Sequence, residues 1–84
     1  MLNQTVLVGR VVRIDEYKNN KVLVYLEDTK GNQVPIPMLR QWAENIIIFD
    51  LVGVKGRLKG VGQYIEFEPQ KLSLLSRKEA EQEA

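Results

Sequence analysis

The run TVLVGRVVRI, residues 5–14, is apolar on both of the faces that a β-strand would present. Val6, Val8, Val12 and Ile14 share one side with Arg10, while Leu7 and Val11 share the other with Gly9 and Arg13. Side chains alternate at a period of two, so such a strand is either sandwiched between layers or sharply coiled around a small barrel. An interior glycine permits the bend or bulge that coiling requires. One long bent strand is expected.

The rest of the chain continues in short β-type runs broken by turn signals. DEYKNN, residues 15–20, is polar and Asn-rich and suits a turn. KVLVYLED follows as a second strand, with Val22, Val24 and Leu26 on one face and Leu23, Tyr25 and Glu27 on the other. TKGN, residues 29–32, makes a hairpin link to a third strand, QVPIPM, whose Pro35 and Pro37 donate no backbone hydrogen bond. That strand belongs at an edge or leaves the sheet early. In LRQWAENIIIF, Leu39, Trp42, Ala43, Ile46 and Phe49 fall at helical spacing and predict a helix of three turns or fewer, with Trp42 in the core. The three isoleucines there disfavour helix and equally suit the opening of a strand.

LVGVKGRLKG, residues 51–60, is the fourth strand, with Val52, Val54, Gly56 and Leu58 pointing one way and Lys55, Arg57 and Lys59 the other. GVGQ makes a tight return, and YIEFEPQKLSLL is the fifth strand, with Ile65 and Phe67 inward and Tyr64, Glu66 and Glu68 outward. The expected fold is mostly β: a five-stranded OB-fold Greek-key barrel over residues 1–76 with one short helix between strands three and four. Residues 77–84 read as a flexible polar tail. Fold is not function, so the order of elements gives only a prior.

Composition narrows the chemistry. With 84 residues there is room for one domain, and a chain so short has a thin margin of stability that a partner subunit would reinforce. It contains no cysteine and no histidine, so disulfides, thiolate metal sites and the commonest nucleophiles and proton shuttles are missing. An enzyme is not expected, and neither is a cofactor. The net charge is +1, but the last eight residues hold two bases and three acids, leaving ten bases against eight acids before them. No apolar run is long enough to span a membrane, and MLNQTVLVGR shows neither a basic n-region nor a cleavage site, so a soluble cytoplasmic protein is expected.

Four stretches resemble the bacterial single-stranded-DNA-binding protein family: the opening MLNQTVLVGRVVR, AEN at residues 43–45, DLVGVKGRL, and the final FEPQKLSLLS. They occur in the family's order and cover most of residues 1–76. The resemblance implies binding of single-stranded DNA with little sequence preference in replication, repair or recombination, by a homodimer or homotetramer that also contacts replication proteins. The apolar first strand would be the pairing edge. The residues implied to bind are Arg10, Arg13, Tyr25, Arg40, Lys55, Arg57, Lys59 and Tyr64. Lys55 and Arg57 would stand about 7 Å apart on one strand face, near the spacing of phosphates. Arg10 and Arg13 lie on opposite faces of an ideal strand, so a bulge near Gly9 is needed for both to join them.

The chain also departs from that family. The hairpin between strands four and five is reduced to GVGQ, and Gln33 and Leu39 stand where aromatics are expected. EAEQEA lacks the aromatic end of the family's acidic tail. Stacking contributes about 1 to 3 kcal/mol per base, so weaker and more salt-sensitive binding is expected, with Tyr25 and Tyr64 as the remaining platforms. The same losses favour a second reading, a primosomal-type OB-fold module that mainly contacts proteins. Lys55, Arg57 and Lys59 equally suit a solvated strand edge that resists aggregation, and the two tyrosines equally suit cross-strand packing. Glu66 and Glu68 lack a third ligand and read as a solvated face rather than a metal site.

Overall fold

The computed structural model describes residues 4–77. Five antiparallel strands, β1 (Gln4–Glu16), β2 (Lys21–Glu27), β3 (Gln33–Leu39), β4 (Leu51–Val61) and β5 (Tyr64–Ser76), form one sheet in the order β3-β2-β1-β4-β5. A single helical turn, α1 (Arg40–Ala43), connects β3 to β4. The sheet coils until β3 and β5 approach each other, but no ladder joins them. The result is a partly open barrel.

β1 serves both halves of that barrel. Residues 4–10 pair with β4 and residues 10–16 with β2. The register against β2 slips between Val11 and Arg13, which makes Val12 the extra residue of a β-bulge. Ahead of the bulge Leu7 and Val11 face the core; after it Ile14 does. The bend therefore lies at Val12 and not near Gly9. Gly9 has a different task, because a Cβ there would sit 2.9 Å from Glu27 O, so glycine lets β1 cross close to the end of β2.

The core is filled from alternate positions: Val22, Val24 and Leu26 from β2, Ile36 and Met38 from β3, Val52 and Val54 from β4. The turns follow local chemistry. Lys21 N–H donates to Lys18 O at 3.2 Å across Asn19 and Asn20, whose φ angles are 57° and 60°. Two left-handed central residues define the hairpin turn whose twist matches its strands, and asparagine tolerates that conformation. In the next turn the Asp28 carboxylate accepts the N–H groups of Lys30 and Asn32, both at 2.9 Å. β3 is an edge strand, as its prolines require. Asp28 N–H to Asn32 O and Arg40 N–H to Asn20 O bracket its ladder and fix its phase. Pro35 and Pro37 fall where a backbone nitrogen points away from β2.

Three expectations are corrected. The helix has one turn, not up to three: Asn45 and Ile46 bond back to Trp42 O and Ala43 O, and the β-branched run then gives way to Phe49 at φ 78°. Trp42, Ala43 and Ile46 still pack on the core, but Leu39 ends β3 and Phe49 is 60% exposed. The hairpin between β4 and β5 has a turn of only two residues, Gly62 and Gln63, yet its strands run on past the barrel as a ribbon. Ile65 shares a ribbon face with Phe67, but only Phe67 reaches the core, and Ile65 is 73% exposed. β1 is central in the sheet order rather than an edge; among the described residues, 4–9 pair only with β4 and 11–16 only with β2.

Arg77, expected in the flexible tail, is anchored. Its guanidinium grips both carboxylate oxygens of Asp50 at 2.9 Å and donates to Asn45 O at 3.1 Å. Asp50 is 1% exposed and also accepts Ile47 N–H at 2.9 Å. The rest of the expected tail, residues 78–84, lies outside the described residues.

Two positions test this account. A Cβ at Gly56 would collide with Glu68 O and approach Phe67 Cζ to 2.7 Å, because β5 bulges against β4 there. Gly56→Ala is expected to destabilise the barrel by about 2 to 4 kcal/mol in urea unfolding. The Arg77 hydrogen bonds hold the Asp50 carboxyl below its usual range, against the opposing effect of burial. A carboxyl depressed in the folded state stabilises above its unfolded value of about 4, and that contribution disappears as pH falls through the folded value. Asp50→Asn should therefore lower the melting temperature at pH 7 and flatten its decline in acid; an unchanged acid limb would contradict the ion pair's role.

Candidate functional site

The bulge at Val12 turns Arg10 and Arg13 to the same outer face, which the sequence pattern required for both to act together. Arg13 lies 5.1 Å over the Tyr25 ring and pairs with Asp15 at 2.8 Å, and this contact raises the guanidinium's pKa further. Arg10 Nη1 donates to Phe49 O at 3.1 Å, holding the left-handed residue of the loop before β4.

The other implied residues divide by side-chain type. Arg40 makes a two-pronged pair with Glu16, one bond at 2.7 Å, and reaches Asn20 Oδ1 at 3.4 Å. That pairing lowers the Glu16 pKa and braces the β1–β2 turn from the side of β3. Arg57 donates to Glu68 at 2.9 Å and depresses that carboxyl, with Lys59 adding a smaller effect. Lys59 stands opposite Glu66. Lys55 stands opposite Lys71, with Val6 on its other side. Tyr64 is 76% exposed near the ribbon's turn, well away from Tyr25.

The basic strip read along β4 is thus partly neutralised by β5. Each arginine in the implied set holds an acceptor within the chain, whereas the lysines around the barrel's opening form no ion pair among the described residues. A groove of about 680 Å³ runs between the β1–β2 turn and the base of the ribbon. Lys18 and Lys21 stand on one side of it and Lys59 on the other beside Glu66 and Glu68, with Trp42 and Phe67 among its walls. Tyr17, Lys18, Lys21 and Lys71 were not among the residues singled out from sequence. The signal for the first three was present in YKNNK, since an Asn-Asn turn holds its flanking side chains at a fixed splay. Among the described residues no group of acidic side chains gathers to hold a metal ion.

No family model matches the chain, and none of the curated proteins matches it. Its backbone is similar to a chain from a replication protein A heterotrimer bound to single-stranded DNA, with a TM-score of 0.66 and 22% identity. The match covers 90% of this chain and 60% of that one. The fold is an OB barrel. OB barrels bind oligonucleotides and oligosaccharides on the face of strands two and three, between the 1–2 and 4–5 connections. In this OB barrel the lysine-lined groove lies between those two connections.

Arg40 is a positioning residue for that groove. Arg40→Ala should speed hydrogen exchange at the Tyr17 and Lys21 amides, which close the β1–β2 turn, while the β4 amides keep their protection. Unchanged exchange at the turn would show that the Asn-Asn geometry holds it unaided.

Proposed function

We propose that the chain binds single-stranded DNA with little sequence preference, in replication, repair or recombination, by seating phosphates along the groove between the β1–β2 turn and the β4–β5 ribbon. The observation that carries this reading is the set of Lys18, Lys21 and Lys59 around one opening, none of them in an ion pair. Unpaired ammonium groups exchange counterions for phosphate at little cost, while a guanidinium already bound to carboxylate must first give up that partner. Tyr64 on the ribbon offers an open ring face for stacking, whereas Tyr25 has one face covered by Arg13 and Tyr17, beside the groove, has Lys18 over its ring at 5.7 Å.

Charge dominates such a site. Three lysines on single strands give a log–log salt slope of about −2, and each Lys→Ala change should weaken binding at low salt and remove about 0.7 from the slope. Fluorescence anisotropy of a labelled oligo-dT 30-mer, with duplex DNA as control, measures both. No binding at low salt, or binding that salt leaves unchanged, would sink the reading. The protein so described is non-enzymatic, cytoplasmic and a homo-oligomer, whose second copy pairs along residues 4–9 of β1, where Val6 and Val8 are exposed and one strand edge is free.

The second reading, a primosomal-type module that mainly contacts proteins, draws support from the loop before β4. It exposes Ile47, Ile48 and Phe49 while Asp50, Arg10 and Val11 hold its backbone. Salt-insensitive association with a protein, together with no affinity for oligo-dT, would favour that reading.

A further inference from the structure

We propose that the open edge of β5 over residues 70–74 is a strand-addition site for an extended peptide that alternates apolar and acidic side chains. This surface shares only Trp42 with the lysine groove and does not rest on the nucleic-acid reading.

The edge itself selects the kind of ligand. β5 pairs with β4 and with no other strand. β3, which would close the barrel, turns toward the seam the two positions where it has no N–H to give, Pro35 and Pro37. The outer backbone groups of β5 therefore remain an unfilled row of donors and acceptors. Such a row is matched by another extended polypeptide, because only an extended backbone repeats N–H and C=O at the same interval.

Its two faces specify the side chains. Between the β5 edge and α1 lies a groove of about 570 Å³ whose apolar wall is Trp42, Ile46, Leu72 and Leu74 and whose polar lining includes Gln70 and Lys71. An added strand would direct every second residue into it, and those residues are apolar. The intervening residues would stand beside Lys71 on the outer face. Lys71 lies directly across from Lys55, and among the described residues neither has a carboxylate partner. Like charges directly opposite each other destabilise a sheet, and a carboxylate on the next strand of that row relieves the repulsion. Five residues of edge span about 16 Å, enough for a peptide.

The test uses the full chain labelled with ¹⁵N and a fluorescein-tagged dodecapeptide alternating valine and glutamate, with an isomer carrying the same residues in two blocks as control. The alternating peptide is expected to bind, to slow hydrogen exchange at amides within residues 70–74, and to leave the Tyr17 and Lys21 amides unchanged. Lys71→Glu should weaken it about ten-fold, from loss of one attraction and gain of one repulsion. Trp42→Ala should weaken it as well, and Lys71→Glu carries the test alone if that variant does not fold. Equal binding of the block isomer, or exchange at residues 70–74 unaffected by saturating peptide, overturns the proposal. So does displacement of the peptide by oligo-dT with protection of the same amides, which would make the edge a nucleic-acid surface. Oligo-dT binding that depends on Lys18 and Lys21 is a separate readout, so failure of either reading leaves the other standing.

Discussion

The bulge at Val12 is the constraint on which the rest of the barrel depends. β1 has to face the core from its odd positions while it runs beside β4 and from its even positions while it runs beside β2. A regular strand does neither switch, because a period of two carries one parity from end to end. One extra residue changes the parity and steepens the local twist at the point where the sheet must fold over. On the side of β1 that faces β4, the Val11 N–H donates to Asp50 O at 2.9 Å, and Phe49 N–H donates back to Val11 O at 2.6 Å. Because of those bonds the loop before β4 is fixed in a conformation that a phenylalanine adopts only under strain. Asp50 and Arg77 complete the anchor by tying the end of β5 to the same loop.

How much of this was legible in the sequence depends on whether a feature is local. The five strands, the Asn-Asn and Gly-containing turns and the edge position of the proline strand follow from residues within a few positions of one another. The need for a bulge was legible too, since Arg10, Arg13 and the doubly apolar run are incompatible with a straight strand. Its position was not, because Gly9 attracts the bend on propensity while its actual use is set by Glu27, distant in sequence. Ile65 was misread for a related reason. Alternation assigns it correctly to the face of Phe67, but only the three-dimensional extent of the core decides how far along a ribbon that face stays covered.

The candidate site shows the same limit for charges. A row of bases at alternate positions on β4 reads as a cationic strip, yet the register sets Arg57 against Glu68 and Lys59 against Glu66. Partners contributed by another strand cancel what one strand advertises. The bases around the opening that form no ion pair among the described residues, Lys18, Lys21 and Lys59, are lysines, and the arginines are the ones tied down. That division is physical: a planar guanidinium matches a carboxylate with two bonds and holds geometry, whereas an ammonium is a mobile point charge that readily changes partners. In this barrel the arginines brace the frame, and the lysines around the opening keep their ammonium groups free of carboxylate partners among the described residues.

The open seam completes the division. A ladder between β3 and β5 would need donors from both edges, and Pro35 and Pro37 remove them from β3 at two successive outward positions. Both strands are thus committed to the barrel through their other edges while the seam stays unzipped. α1 is only one turn long, but it delivers Trp42 to that seam, where the indole packs against the core and forms part of the wall of both grooves. One side chain divides the seam into a half beside the β1–β2 turn, lined by lysines and by Glu66 and Glu68, and a half beside residues 70–74, lined by Ile46, Leu72 and Leu74 with polar neighbours. The helix need be no longer than this, because its work is to place a single large ring.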